Sequence, residues 1–518
     1  MRPAPALWWA GGGALALVLA LTIGAAALVF LWAEGAGRFT APDWRALEFT
    51  ARQAFLSALI SVALAIPVAR ALARRRFPGR EALVTLLGAP FLLPIIVAIL
   101  GIVAIWGRSG LVNDGLGALG LPKLDIYGLS GVLLAHVFFN LPLAVRILLQ
   151  ALSDIPAERW RLAAELGLEG RPLFRLIEWP ALRAAAPGAF ALIFLLCATS
   201  FAVALALGGG PRATTLELAI YQAVRFDFDL GRAAALAGLQ LGLGLALALL
   251  AAGLSAPSGL GPGLDAPPER WDGRGVAARL GDGAALGLAA AFLIAPLAAA
   301  AALGVGGLGE MGPRVWLAAG RSLGVALTAA AMALTLGLAL VMLVVALEGR
   351  APRAARLVEA TALLALVVSP FVAGVALFLA LRAVVAPASV AMPLVALVNG
   401  ASALPFAFRL LLPALREAAR DYGPLAEALG MQARDRLRLL WLPRLRRPLG
   451  LAGGLSAALS AGDLGVVAIF ATPTAPTLPL YVHGLMSAHR MEAAAGAALL
   501  LAALAFGLFL AFDRWGRA

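Results

Sequence analysis

The sequence predicts an all-α integral membrane protein with about twelve transmembrane helices, arranged as two parallel six-helix repeats. Its 518 residues are 62% hydrophobic and 13% charged, whereas soluble domains average about 45–50% apolar and about 25% charged residues. Apolar stretches long enough to cross a bilayer recur along the chain, and one segment of the first half returns in the second. A soluble globular enzyme is therefore excluded.

The predicted spans follow from length and hydrophobicity, because a membrane helix needs about 20 mostly apolar residues. Several of them contain proline or glycine, which membrane helices tolerate. The single cysteine, Cys197, lies in one of these stretches, so the sequence has no disulfide framework and no cysteine-based metal site. The twelve spans are approximately 7–33, 51–73, 82–106, 128–150, 188–208, 233–254, 281–304, 317–347, 357–385, 390–412, 450–471 and 493–512.

The net charge of +13 is explained by membrane orientation rather than by nucleic acid binding. With the N-terminus on the cytoplasmic side, 26 of the 41 basic residues fall in cytoplasmic segments and 9 in outside segments. Basic residues in short loops are retained on the cytoplasmic side. We therefore predict a multi-pass protein in contact with lipid, with both termini in the cytoplasm and no nucleic acid partner.

A shift of 263 residues aligns residues 141–183 with residues 404–446 without a gap. Alanine and leucine match often by chance in this composition, so arginine, glycine and proline carry the comparison. Both copies follow a predicted span of the same direction, which makes the repeat parallel rather than inverted. The informative identities are Pro142 with Pro405, Arg146 with Arg409, Gly167 with Gly430, Arg171 with Arg434, Arg175 with Arg438, Pro180 with Pro443 and Arg183 with Arg446.

Each copy predicts two short helices at the cytoplasmic surface. Gly167 and Gly430 are expected to end the first helix of each pair, because glycine readily adopts the left-handed conformation found at helix C-termini. The second helix begins near Pro172 in the first copy, and Pro180 and Pro443 are expected to end it. The apolar docking side of the second helix would carry Phe174 and Ile177 in the first copy, and Leu437 and Leu440 in the second.

A surface that is built twice indicates docking onto a partner that is also present twice. The alternative is an amphipathic loop whose arginines only set the topology and touch anionic headgroups. That alternative accounts for the charge but not for the glycine-to-proline spacing of 13 residues in both copies.

The stretches RLAAELGLEGRPLFRLIEWP (161–180) and PLAEALGMQARDRLRLLWLP (424–443) resemble the cytoplasmic EAA loop of ABC importer permeases. The family pattern is E-A-A-x3-G-x9-I-x-L-P, and its leading glutamate is replaced here by Arg161 and Pro424. The resemblance implies the type I permease fold and two coupling helices that receive an ATPase. The residues assigned to this coupling are Ala163, Gly167, Phe174, Ile177, Pro180, Ala426, Gly430, Leu437, Leu440 and Pro443.

Further stretches, among them GVLLAHVFFNLPLAVRILLQAL (131–152) and the segment 207–237, resemble the fused two-repeat permeases of thiamine and thiamine pyrophosphate importers. This resemblance implies a bacterial inner membrane protein that translocates thiamine and its phosphates. It also implies two copies of an ABC ATPase subunit and a periplasmic substrate-binding protein as partners.

The chain itself has no phosphate-binding loop of the type G-x-x-x-x-G-K-[ST], because its only lysine, Lys123, lies in a predicted outside loop. ATP and magnesium are therefore expected on the separate ATPase subunit, with no cofactor bound by this chain. No catalytic residues and no metal ligands are predicted, so the chain is expected to be a transport subunit and not an enzyme.

The repeat and the spans predict five regions. The boundaries place the N-terminal transmembrane anchor and first periplasmic loop at 1–50 and the first permease repeat at 51–254. A linker with the seventh span follows at 255–316, then the second repeat at 317–512 and a cytoplasmic tail at 513–518.

Polar and aromatic residues inside the spans are candidates for the translocation path, because polar groups are costly there. Asp463 and the aromatic faces of Trp106 and Tyr221 would attract a cationic thiazolium ring. Asp463 is equally suited to cap a broken helix, and the other candidates to interhelical hydrogen bonds. These other candidates are His136, Asn140 and Gln240.

Three other functions remain open from the sequence. A ferric iron importer also uses a fused two-repeat permease, although the chain has only four tyrosines to serve as iron ligands. A twelve-helix secondary transporter would need more charged residues within its spans. A membrane-embedded enzyme would need a converging set of acid, base or metal-binding residues.

Overall fold

The computed structural model describes residues 5–33, 39–208, 210, 213–254, 270–273, 275–365, 368–382, 384–385, 387–470 and 474–517. Within these residues every regular element is a helix. Ten helices are long and apolar enough to cross a membrane. The predicted all-α membrane fold is thus confirmed.

The first half contains fourteen α-helices in the described residues. A π-helical turn, Ala20–Gly24, joins α1 to α2, and a second, Phe174–Glu178, joins α10 to α11. The helices are α1 (Pro5–Leu19), α2 (Ala25–Ala33), α3 (Ala41–Arg74), α4 (Arg80–Leu86), α5 (Ala89–Leu92), α6 (Ile95–Trp106), α7 (Leu111–Ala118), α8 (Leu129–Ser153), α9 (Ala157–Glu165), α10 (Gly170–Leu173), α11 (Trp179–Ala198), α12 (Ala202–Leu207), α13 (Leu216–Arg225) and α14 (Leu230–Leu254).

The second half contains ten α-helices in the described residues. A third π-helical turn, Arg436–Trp441, joins α20 to α21. The helices are α15 (Val276–Gly306), α16 (Arg314–Glu348), α17 (Pro352–Leu364), α18 (Pro370–Leu381), α19 (Ala391–Ala428), α20 (Ala433–Asp435), α21 (Leu442–Ala461), α22 (Gly465–Phe470), α23 (Leu478–Ser487) and α24 (Met491–Arg517). Adding 263 to the first and last residue numbers of α11 and α12 gives the first and last residue numbers of α21 and α22.

The two halves are interlocked by their first helices. Helix α1 packs against α16 of the second half, and α15 packs against α3 and α6 of the first. Gly101 of α6 lies against the backbone of Pro296 in α15, where any side chain would collide. Small residues of this kind allow membrane helices to approach closely.

The ends of several helices differ from the predicted spans. The predicted spans at 82–106 and 357–385 are each divided, the first into α4, α5 and α6 and the second into α17 and α18. Those at 188–208 and 450–471 start too late, since α11 and α21 begin at Trp179 and Leu442. Hydropathy misses these helix starts because they carry arginines, whose long apolar stems can lie along apolar surface while their charges reach water.

Helices α13 and α23 lie at matched positions in the two halves. The N–H of Leu216 donates to Thr50 Oγ1 of α3 at 2.8 Å, and the N–H of Leu478 donates to Ser322 Oγ of α16 at 2.8 Å. Both hydroxyls are buried, so each satisfies a helix N-terminus that would otherwise be unpaired. The starts of α13 and α23 are thereby fixed inside the helix bundle.

Candidate coupling hairpins and translocation path

Two helical hairpins have the same turn geometry. They are the first hairpin, residues 157–178, and the second hairpin, residues 420–441. Gly167 and Gly430 have φ angles of +62° and +63°, as predicted for left-handed helix ends. The backbone N–H of Leu168 donates to Ala163 O at 2.9 Å, and that of Met431 donates to Ala426 O at 3.0 Å.

These hydrogen bonds define a Schellman turn in each hairpin, completed by bonds from Gly167 to Ala164 O and from Gly430 to Glu427 O, both 3.0 Å. Ala163 and Ala426 are buried under their turns. The two alanines and two glycines of the motif therefore have a geometric role. A larger side chain does not fit at the alanines, and a residue that prefers the right-handed backbone conformation does not fit at the glycines.

The expectation that Pro180 and Pro443 end the second helix of each hairpin is wrong. Both prolines lie in the first turn of a long helix, α11 or α21, directly after a π-helical turn. Proline removes a backbone donor and crowds the preceding turn, and a wider π-turn already breaks the regular α-helical bonding at that place. The hairpins therefore continue without interruption into the helices of the bundle.

The exposed apolar side of each hairpin also differs from the prediction. Phe174, Ile177, Leu437 and Leu440 are half-buried against the apolar cores of their own halves. The π-turn is the reason, because it changes the angle between successive side chains from the value that an α-helix would give. The exposed leucines form two matched trios, which are Leu162, Leu166 and Leu176 in the first hairpin and Leu425, Leu429 and Leu439 in the second.

Glu178 is a residue that the sequence interpretation missed. Its side chain is fully buried and accepts hydrogen bonds from Arg70 Nε and Arg270 Nη2, both at 2.7 Å. These partners are 108 and 92 residues away in the chain, so no local pattern reveals them. The shift of 263 residues places Trp441 at the corresponding position, which means that the two hairpins are anchored differently.

Asp463 and Tyr221 are brought to one region where the two halves meet. The ring of Phe201, between α11 and α12, stacks on Phe371 of α18 with centroids 4.9 Å apart, and contacts Tyr221 at 5.3 Å. A Cβ atom placed on Gly465 would lie 3.6 Å from the Phe201 side chain and 3.7 Å from the side chains of both Phe371 and Asp463. Asp463 therefore lies beside the aromatic stack.

Glu217 adds a second carboxylate to this region, and the sequence interpretation missed it too. Its side chain is buried, and Ser369 Oγ donates to Glu217 Oε1 at 2.5 Å across the boundary between the halves. Glu217 and Asp463 lie close enough to interact electrostatically. We call Phe201, Glu217, Tyr221, Phe371 and Asp463 the central cluster.

Asp463 also caps a broken helix, as the sequence allowed. Its carboxylate accepts the backbone N–H of Gly465 at 3.1 Å and faces those of Val466 and Val467 at 3.5 and 3.4 Å, at the start of α22. Helix α12 starts at the corresponding break in the first half.

The remaining path candidates lie elsewhere and have structural partners. His136 Nδ1 is 3.2 Å from Ser57 Oγ, and Asn140 Nδ2 donates to His136 O at 2.8 Å and to Cys197 Sγ at 3.3 Å. Gln240 Nε2 donates to Ala198 O at 2.9 Å. Trp106 is half-buried at the end of α6. In the described part of the chain, no three His, Cys, Asp or Glu side chains are grouped to hold a metal ion.

Two matched series of membrane-spanning helices, each carrying a cytoplasmic-type hairpin of identical turn geometry, define a membrane transport permease of the ABC importer class. No family model matches the chain. The chain is 43% identical to the thiamine transport system permease protein ThiP of Brucella abortus, over 98% of this chain and 94% of that protein. It is 39% identical to the proteins of the same name from Salmonella typhimurium and Escherichia coli, over 98% of this chain and 96% of each. The chain belongs to the family of thiamine transport system permeases.

Proposed function

We propose that this chain is the permease subunit of an importer that moves thiamine and its phosphates across the bacterial inner membrane. The paired hairpins support this proposal most strongly, because two identical turns of left-handed glycine and buried alanine present two matched leucine trios. Both termini would lie in the cytoplasm. The chain would bind no cofactor, and ATP with magnesium would be held by a separate ATPase subunit.

The hairpins provide a physical route for coupling. Each continues through a π-turn into a long helix of the bundle, so that a displacement of the hairpin is passed to α11 or α21 without a flexible joint. Two ATPase copies that close and open would move the two halves as rigid bodies and alternate the access to a path between them. A periplasmic substrate-binding protein would deliver the substrate to the outer side.

The copy number of the ATPase is the first quantity to measure. Gentle detergent extraction of the tagged permease and native mass spectrometry are expected to give two ATPase subunits per permease chain. A permease that is isolated without any nucleotide-binding subunit, yet transports in vesicles driven by an ion gradient alone, would instead establish a secondary transporter.

The central cluster fits the chemistry of thiamine, whose thiazolium ring is a permanent cation. Aromatic rings and carboxylates both attract such a cation, and the attraction is stronger where water is excluded. Glu217 and Asp463 supply carboxyl groups, whose ionised form a bound cation would favour, and Phe201, Tyr221 and Phe371 supply the rings. We therefore place the narrow part of the path at this cluster.

Neutralising the two carboxylates tests this placement. The variants Glu217→Gln and Asp463→Asn are expected to reduce ATP-dependent thiamine uptake by about tenfold each, which corresponds to about 1.4 kcal/mol of lost attraction. The substrate affinity of the binding protein should not change, since that protein is a separate chain. The measurement is uptake of labelled thiamine into proteoliposomes that contain the complete importer.

The control is Glu310→Gln, which removes a carboxylate from an exposed position. Uptake by this variant is expected to equal that of the unmodified protein. Unchanged uptake by both central-cluster variants would contradict a charge-dependent path at this place.

The relatives do not favour the ferric iron alternative. They are named thiamine transport system permeases, and this chain aligns with nearly their whole length. The central cluster also differs from an iron site, because it contains one tyrosine and two carboxylates that are already engaged with Ser369 and with α22. Unlabelled thiamine is expected to compete with the uptake of labelled thiamine, whereas ferric iron is expected not to compete.

A further inference from the structure

Two residues between the two halves, Arg270 and Trp271, contact the first hairpin at three points, and the adjacent Asp272 holds Arg270. Arg270 Nη2 donates to Glu178 Oε1 at 2.7 Å, and its guanidinium lies 4.0 Å from the centre of the Trp160 ring in α9. Trp271 Nε1 donates to Leu168 O at 3.2 Å, directly after the left-handed Gly167. We call Arg270, Trp271 and Asp272 the linker clamp.

The linker clamp is itself tied to the helix bundle. Asp272 accepts two hydrogen bonds from Arg270, both at 2.8 Å, and its Oδ2 lies 3.1 Å from Arg74 Nε of α3. Arg74 and the adjacent Arg75 also pair with Asp282 of α15, at 3.2 and 2.7 Å. One continuous ion network thus joins the first hairpin to α3 and α15.

The carboxylates of the network are buried, and each of them is paired with two arginines. The side chains of Glu178 and Asp272 are 0% and 2% exposed, so each would be costly to bury without a partner. Burial by itself would raise the pKa of Asp272, but the hydrogen bonds and charge of Arg270 and the charge of Arg74 outweigh it and lower the pKa. Asp272 therefore stays ionised, and removal of Arg270 leaves Glu178 with Arg70 and Asp272 with Arg74 as the remaining ion-pair partners.

The second hairpin has no equivalent anchor in the described residues. Trp441 replaces Glu178 and packs in an apolar cluster with Leu340, Val344 and Leu445. Gly423 stands where the first hairpin has Trp160. The second hairpin is instead the direct continuation of α19 (Ala391–Ala428) and not a separate pair of short helices. Arg444 of α21 lies 3.6 Å from the centre of the Tyr422 ring, and Arg436 lies 4.0 Å from Glu427, so these contacts differ from the ion pairs that join Glu178 to α3 and to the linker clamp.

We propose that the linker clamp positions the first coupling hairpin on α3 and α15, and that the two ATPase contacts therefore drive the permease unequally. Glu178 and Arg270 act here as positioning residues, since the ATPase would touch the exposed leucines and not the buried ion network. This inference rests on the proposed function. It predicts that loss of the network reduces coupling at the first hairpin only.

The test uses the complete reconstituted importer and measures thiamine taken up per ATP hydrolysed. Arg270→Gln and Glu178→Gln are each expected to lower this ratio by about five- to tenfold, a size typical of a mutation that alters coupling between sites. The effect of the double variant should be smaller than the product of the two single effects, because both single variants remove the shared Arg270–Glu178 pair. Arg270→Lys, which keeps the charge, should recover part of the ratio.

The control is Arg108→Gln, which removes an exposed ion pair with Asp125 whose side chains are 70% and 60% exposed. Pairs of this kind contribute little to stability, so the coupling ratio should not change. A merely structural role for the network would reduce the yield of assembled complex but leave the uptake per ATP of the assembled fraction intact, and that result would overturn the proposal.

Hydrogen exchange on the isolated permease provides a readout that does not depend on the substrate. In Arg270→Gln the amides of the first hairpin are expected to exchange at least about tenfold faster, while those of the second hairpin keep their rates. Equal acceleration in both hairpins, or in neither, would contradict the proposal. If the unmodified importer fails to transport thiamine but the first hairpin alone responds, the proposed function fails and the clamp stands.

Discussion

Replacing both left-handed glycines, as in Gly167→Val with Gly430→Val, is expected to abolish coupled transport while the protein still inserts into the membrane. Both positions have φ angles near +60°, where an L-residue costs about 1–2 kcal/mol and a β-branched one more. The turn would relax to a right-handed conformation, and the two Schellman hydrogen bonds of each hairpin would be lost. We expect ATP-dependent uptake to fall by about tenfold in each single variant and to background in the double variant.

Open space around both glycines makes this prediction specific. No atom lies within 4 Å of a side-chain carbon added at Gly167 or Gly430, so the effect comes from backbone conformation and not from collision. Gly120 is the matched control, since it has a φ angle of +68° and open surroundings but lies outside both hairpins. Gly120→Val should carry the same strain and retain coupling. Normal uptake by the double variant would refute the coupling role of the turns.

Charges on the exposed leucines are expected to prevent ATPase assembly. Leu176 and Leu439 occupy equivalent positions in the two hairpins and are 60% and 65% exposed. Because their side chains face away from the permease, Leu176→Asp and Leu439→Asp should leave its folding intact. Burying an unpaired carboxylate in an apolar contact costs about 3 kcal/mol or more, which lowers the ATPase affinity by about a hundredfold.

The measurement is the dissociation constant of the ATPase subunit for the purified permease, with thermal unfolding recorded in parallel. Leu119→Asp is the control, because Leu119 is 75% exposed and follows α7, away from both hairpins. Its ATPase affinity should be unchanged. If a permease that carries both Leu176→Asp and Leu439→Asp still binds the ATPase tightly, the ATPase docks on another surface.

Local features of the hairpins could be predicted from the sequence because they depend on nearby residues. Gly167 and Gly430 were identified by their spacing from a helical apolar pattern, and the turn that follows requires only glycine at that place. The side chains that the turn exposes could not be predicted. Phe174 is half-buried and Leu176 is exposed because a π-turn, which has no clear sequence signal, changes the angle between successive residues.

Of the candidate path residues, Asp463 and Tyr221 meet in the central cluster, while His136 and Asn140 have interhelical partners instead. Inside a span every polar residue is equally conspicuous in the sequence. The packing of helices far apart in the chain decides which of these residues faces the other half of the protein and which faces a neighbouring helix of its own half.

The sequence by itself determined that this is an all-helical membrane permease with two copies of one hairpin. Hydrophobic length, arginine distribution and the shift of 263 residues are properties of the chain, and each has a direct physical meaning in a bilayer. Only the tertiary structure decided which charges are paired. Glu178 meets Arg70 and Arg270 across 108 and 92 residues, and Glu217 meets Ser369 across 152. Such buried pairs form because packing removes water from both partners at once, and no local pattern of residues specifies where that happens.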